Sequence, residues 1–166
     1  MIPTYLIIHH TATSRDNTTF EAVKGNHIHR GWGNIGYHFF INGKGVLYGY
    51  PEARGQDQRG AHCIADNMNA KSIGIALTGN FEIEQPSTEQ LLTLSNLISQ
   101  LREAWDIPKE NVLGHNEVKG AKTACPGRNL IPYINGLKKE CESCNELKEE
   151  LKVANNKLNK IKDILL

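Results

Sequence analysis

The chain has 166 residues, 39% of them hydrophobic and 22% charged, with a formal net charge of +1; this excludes a disordered chain and suits one domain with a sizeable core. Residues 138–166 hold seven Lys and six acidic side chains, so the part before them carries twelve of each sign and has no electrostatic footprint for a polyanion, which argues against nucleic acid as a partner. The sequence shows no charged leader with an apolar stretch and cleavage site, and no apolar run of bilayer length, so it is expected to lack a signal peptide and stable membrane insertion.

Thr4-Tyr5-Leu6-Ile7-Ile8 is a β-branched, apolar run that reads as a buried strand ending in His9-His10. Asn17-Thr18-Thr19 offers caps ahead of Phe20, predicting a helix that runs toward His29 with Gly25 as its weak point. Arg30-Gly31-Trp32-Gly33-Asn34 breaks it. Residues 35–41 read as a strand, Asn42-Gly43-Lys44-Gly45 as a turn whose Asn-Gly pair signals a hairpin, and 46–50 as the returning strand. The polar stretch 51–71 lacks periodicity and reads as a long functional or mobile loop, with Gly60-Ala61-His62-Cys63 inside it.

Residues 72–81 predict another buried strand. Ser87 and Gln90 then form a capping box for a helix whose apolar face is Leu91, Leu94, Leu97, Ile98, Leu101 and Trp105, stopped by Pro108. Val112-Leu113 is a short strand feeding Gly114-His115, and the chain from Asn129 looks helical with a weak point at Pro132. Strands alternating with helices predict an α/β fold, a central mixed β-sheet flanked by helices, followed by a C-terminal helical tail.

The chemistry concentrates where His115 and Cys125 are joined by a glycine-containing loop able to fold back on itself. Imidazole nitrogen and thiolate sulfur are ligands that Zn²⁺ takes, and a tetrahedral site needs at least one more. The best supplier is His9-His10 at the end of the first strand. The competing reading is that His115 and Cys125 are ordinary packed residues, since free cysteine is among the most buried residue types.

Taken together, the segments Ile8-His9-His10-Thr11-Ala12-Thr13, Ile35-Gly36-Tyr37-His38-Phe39, Gly60-Ala61-His62, Ser72-Ile73-Gly74-Ile75, Gly79-Asn80-Phe81, Gly114-His115 and Thr123-Ala124-Cys125-Pro126-Gly127 closely resemble the type 2 zinc amidases. That family includes phage lysozyme-amidases and peptidoglycan recognition proteins. The resemblance implies an N-acetylmuramoyl-L-alanine amidase with peptidoglycan as partner, one Zn²⁺ per chain, and His9, His115 and Cys125 as its ligands. It implies catalytic roles for Tyr37, which matches a tyrosine facing the metal, and for Thr123, at a position held by lysine in some phage members and threonine in recognition proteins. His27 and His62 match substrate-groove positions, while Gly31-Trp32 resembles the pair in relatives that bind diaminopimelate-type peptidoglycan. His10 and His38 alternate with His9 and Tyr37 and are expected to point away. The implied role is that of a phage endolysin, held in the host bacterial cytoplasm until a holin opens the inner membrane; the alternative is a recognition module that binds muropeptide without cutting it.

The amidase domain is expected to span 1–136. In 137–166, Leu137, Cys144, Leu147, Leu151, Ala154, Leu158, Ile161 and Leu165 recur at alternating spacings of three and four, interrupted at Glu140. This reads as a short coiled coil for homo-oligomerisation, or as one amphipathic helix packed on its own domain. Cys141 and Cys144 form a C-x-x-C without the second pair that a zinc ribbon needs.

Overall fold

The structure, a computed structural model, describes residues 1–138. The expected coiled coil and the Cys141–Cys144 pair lie outside them.

Five strands form one sheet: β1 (Tyr5–His10), β2 (Phe39–Ile41), β3 (Leu47–Tyr48), β4 (Ser72–Leu77) and β5 (Val112–Gly114), in the spatial order β3-β2-β4-β1-β5. β1 runs parallel to β4 and β5, β2 is parallel to β4, and β3 pairs antiparallel with β2. The sheet is therefore mixed, with helices α1 (Phe20–His29), α2 (Thr88–Trp105) and α3 (Ile131–Lys138) around it.

Because side chains alternate along a strand, the two faces bury different sets. On one face Leu6 and Ile8 of β1 join Ile73, Ile75 and Leu77 of β4 and pack with Leu94, Leu97, Ile98 and Leu101 of α2 and Ile134 of α3. Each such side chain contributes about 1.5–3 kcal/mol on burial, so this face carries most of the stability. The cover of the other face is divided. Phe20, Ile35, Phe40, Ala53 and Ala76 make one small cluster, and Ile7, Cys63, Met68 and Val118 another. His9 lies in register with Ala76 at the end of β1, on this divided face.

The α2 start follows its sequence signature. Ser87 Oγ accepts the Gln90 N–H at 3.2 Å while Gln90 Oε1 accepts the Ser87 N–H at 3.1 Å. The helix ends before Pro108, at Asp106, whose φ of 52° closes it in the left-handed region.

Several boundaries differ from expectation. β1 starts at Tyr5, one residue later than the apolar run, and ends at His10 as expected, paired opposite Leu77. The strand expected over 35–41 is confined to Phe39–Ile41: the Gly36 N–H goes to His27 Nδ1 at 3.0 Å, and the Ala61 carbonyl occupies the space a Cβ on residue 36 would need. The turn expected over Asn42 to Gly45 is present, with Asn42 Oδ1 accepting the N–H of Lys44 and of Val46 and Gly45 at a φ of +78°, while the returning strand is confined to Leu47–Tyr48. The 51–71 loop contains a 3-10 segment, Ala65–Ala70. β4 stops at Leu77, followed by the Gly79 turn. Pro132 lies in the first turn of α3, where a missing N–H costs nothing.

Candidate metal centre and groove

The C-terminal ends of parallel strands are where an α/β sheet exposes side chains to a ligand, and two strands deliver histidines here. His9 ends its row on β1, and His115 follows β5 in a 3-10 turn, His115–Glu117. Glu117 holds that turn: Oε2 accepts the Gly114 N–H at 2.7 Å, and the Lys138 Nζ of α3 pairs with the same carboxylate at 2.8 Å. Cys125 is returned to the strand ends by its loop, where Asn116 N–H reaches the Cys125 carbonyl at 2.8 Å and Gly127 N–H reaches the Ala124 carbonyl at 2.7 Å. The sulfur accepts the His10 N–H at 3.4 Å and lies 3.6 Å from His9 Nδ1.

One ligand atom from each of His9, His115 and Cys125 falls within 4.8 Å of the others. The three residues read from the sequence as metal ligands thus converge. Burial, followed by the neighbouring His62 and His115, holds the His9 imidazole well below its ordinary pKa, and burial lowers His115 as well. Both rings are neutral near pH 7, as ligands must be. Burial pushes the Cys125 thiol up to about 12, with the His10 N–H only partly offsetting it. Two neutral imidazoles and a thiol that ionises readily only against a cation are a donor set suited to Zn²⁺.

Tyr37 flanks this centre, its ring 5.3 Å from that of His9. Burial, followed by the charge a Cys125 thiolate would carry, raises the phenol pKa, so the hydroxyl stays protonated and can only donate to an anion. Thr123 Oγ1 accepts the Cys125 N–H at 3.1 Å. The hydroxyl therefore positions the cysteine while its own proton remains available. Lys122 and its neighbour Thr123 line one cavity, since 121–124 is loop without the alternation of a strand.

Two adjacent cavities share Trp32. One of about 580 Å³ is lined by His62, Cys63, Ile64, His115, Lys122 and Thr123; the other, of about 440 Å³, by Thr11, Asn26, His27, Arg30 and Tyr37. His27 is buried on α1 and its ring meets that of Trp32 at a tilt of 42° with centroids 4.6 Å apart; Trp32 also carries the Arg30 guanidinium at 5.8 Å. His10 faces away from the centre and accepts the Phe81 N–H at 3.1 Å; His38 is fully buried, accepting from Gly74 N–H at 2.9 Å. Cys63 is a buried thiol.

Sequence reading missed two supports. Arg54 donates from Nε to the Ile35 carbonyl at 2.7 Å, from Nη2 to the Trp32 carbonyl at 2.8 Å and from Nη1 to the Arg59 carbonyl at 3.1 Å, so one guanidinium ties together the loop that carries Trp32. Asn69 Oδ1 accepts the N–H of both His62 and Cys63, at 2.7 and 2.8 Å. Neither residue sits in a local pattern that marks it; their partners are brought in by folding.

With this geometry in hand, the comparisons are specific. The family model described as N-acetylmuramoyl-L-alanine amidase matches residues 1–128. A peptidoglycan-recognition protein of Drosophila simulans is 36% identical over 147 residues, covering 84% of this chain and 75% of the relative. Among solved structures, the endolysin N-acetylmuramoyl-L-alanine amidase LysCS from Clostridium intestinale is 32% identical with a TM-score of 0.68, covering 84% of this chain and 86% of its own. Peptidoglycan recognition protein LE, solved in complex with tracheal cytotoxin, a monomeric diaminopimelic acid-type peptidoglycan, is 30% identical with a TM-score of 0.67, covering 82% and 81%.

Proposed function

Since the chain belongs to the N-acetylmuramoyl-L-alanine amidase family, we propose that it is a zinc-dependent peptidoglycan hydrolase, cutting the amide between the lactyl group of muramic acid and the first L-alanine of the stem peptide. The observation that carries this reading is the convergence of His9, His115 and Cys125. A Zn²⁺ ion held by these residues would supply a Lewis acid able to polarise an amide carbonyl and to lower the pKa of water toward neutrality.

The chain's own residues do the rest. The groove through Trp32 and His27 holds the muropeptide across the centre. The Tyr37 hydroxyl, kept protonated by burial, donates to the oxygen that gains negative charge as the carbonyl becomes tetrahedral. Thr123 keeps Cys125 in place and offers its remaining proton to the same region. The cation-bearing Lys122 lines this part of the cavity.

The role proposed is that of a phage endolysin, held in the host cytoplasm until the inner membrane is opened, by analogy with the endolysin amidase relative. Among the described residues no helix is long and apolar enough to cross a membrane. Gly31-Trp32 and the relative bound to a diaminopimelic acid-type fragment favour that wall type as substrate.

Release of new amino termini from purified diaminopimelate-type sacculi tests the reading. Zinc-loaded protein is expected to release them; a chelator-treated sample and Cys125→Ser are expected not to. Retention of muropeptide by zinc-loaded protein without any release would establish the recognition module instead, a function suggested by the recognition-protein relative.

A further inference from the structure

We propose that His62 is a positioning residue for the metal ligand His9: its Nδ1 accepts the His9 Nε2–H at 3.0 Å and so presents the lone pair on His9 Nδ1 toward Cys125. This rests on the zinc reading of His9, His115 and Cys125.

A neutral imidazole carries one proton, on either nitrogen. His9 Nδ1 faces the Cys125 sulfur, so a metal held there must be met by a bare Nδ1. The proton then sits on Nε2, and a buried N–H needs an acceptor. His62 Nδ1 is that acceptor, from a loop 53 residues away in sequence. It can accept only if the His62 proton is on the opposite nitrogen. That nitrogen, Nε2, is buried and has no hydrogen-bond partner among the described residues.

The surroundings hold His62 in this pose. Its ring lies where a Cβ on Gly60 or Gly74 would stand, so neither position has room for a side chain. Asn69 fixes the His62 N–H, and His38 fixes the second glycine by accepting the Gly74 N–H through Nδ1 while Nε2 donates to the Gln58 carbonyl at 2.9 Å. His38 meets His62 edge-on, with ring centroids 5.6 Å apart. Although His62 borders the larger cavity, one of its nitrogens is engaged by His9 and the other is turned into the glycine cradle. Neither is offered to a substrate. Outer partners of this kind orient a metal-bound histidine and set its tautomer, and their loss typically costs 10–100-fold in metal affinity.

The test measures zinc affinity by competition with a chromogenic chelator for the full chain, His62→Leu and His62→Asn. The asparagine amide oxygen takes the place of Nδ1 as acceptor, whereas leucine fills the volume without one. Leucine is expected to weaken zinc binding about 10–100-fold and asparagine by no more than about threefold. The cobalt-loaded proteins should follow: the visible ligand-field bands change in His62→Leu and persist in His62→Asn. Unchanged zinc affinity in His62→Leu would overturn the proposal, as would equal weakening in both variants, which marks a packing effect. Lost muropeptide binding with zinc binding intact would overturn it too, by making His62 a substrate contact. Failure of the zinc reading itself shows separately, as wild-type protein that does not bind zinc.

Discussion

Tyr37 has a half-buried ring beside His9 and a hydroxyl that burial keeps protonated. A donor aimed at charge that appears only in the transition state changes kcat more than KM, and removing one costs roughly 10²–10³-fold. Tyr37→Phe is therefore expected to lose that much kcat on sacculi or a muramyl peptide while zinc content per chain stays unchanged; a kcat near that of the wild type would remove Tyr37 from the chemistry. Arg54 illustrates a residue that acts at a distance through one loop. Its three bonds to carbonyls of Trp32, Ile35 and Arg59 need the planar guanidinium fork, which lysine cannot reproduce. Arg54→Lys is expected to raise KM for muropeptide, with kcat and zinc affinity little altered, because the loop bearing Trp32 loses its tie.

Helix α2 shows how one terminus joins local and long-range order. Ser87 and Gln90 form the capping box, but Gln90 is also fully buried, and its Nε2 donates to the Thr78 carbonyl just beyond β4 at 2.9 Å. Loss of a cap costs about 1 kcal/mol. Loss of the buried amide also strips a buried carbonyl of its partner, which adds about 1–3 kcal/mol. In urea unfolding, Gln90→Ala should be the more destabilising of the two, with Ser87→Ala near the cap value. Equal effects would mean that the bond to Thr78 contributes nothing. The capping box is legible in four consecutive residues, Ser87 to Gln90, whereas the bond to Thr78 appears only when α2 is laid on the sheet.

At the scale of the whole molecule, the divided face of the sheet makes stability depend on pH. His38 is held below its ordinary value of 6.5, first by burial, partly offset by the Gln58 carbonyl; His27 is lowered by burial and then by Arg30 and Arg54. In the unfolded chain these rings gain protons near the ordinary value, while the native rings stay neutral to lower pH. Stability from their neutral state is thus complete above about pH 6.5 and lost as pH falls from there through the depressed native values. The urea midpoint of metal-free protein should be flat between about pH 7 and 8 and decline below about 6.5, with a shallower decline in His38→Asn. The expected division at 136/137 has its own test at this scale. A chain ending at Lys138, the last residue of α3, is expected to keep the wild-type rate of sacculus hydrolysis per site and to sediment as a monomer, if 137–166 serves oligomerisation alone.

The amino-acid sequence by itself determined the buried strands, the α2 cap and apolar face, and the residue types at His9, His115 and Cys125, because those signals are periodic or local and survive without knowledge of neighbours. Its strand limits failed at 35–38, where the Gly36 N–H donates to His27 and the Gly36 carbonyl accepts the Ala61 N–H, neither serving a sheet partner. Only the tertiary structure decided which nitrogen of His9 faces Cys125, that His62 stands against the other, and that Arg54 reaches under Trp32. The physical reason is topological: parallel strands pair only after long crossovers, so groups 53 or 116 positions apart in the chain meet at their ends, and the direction of a ring nitrogen is set by those meetings and by nothing nearby in sequence.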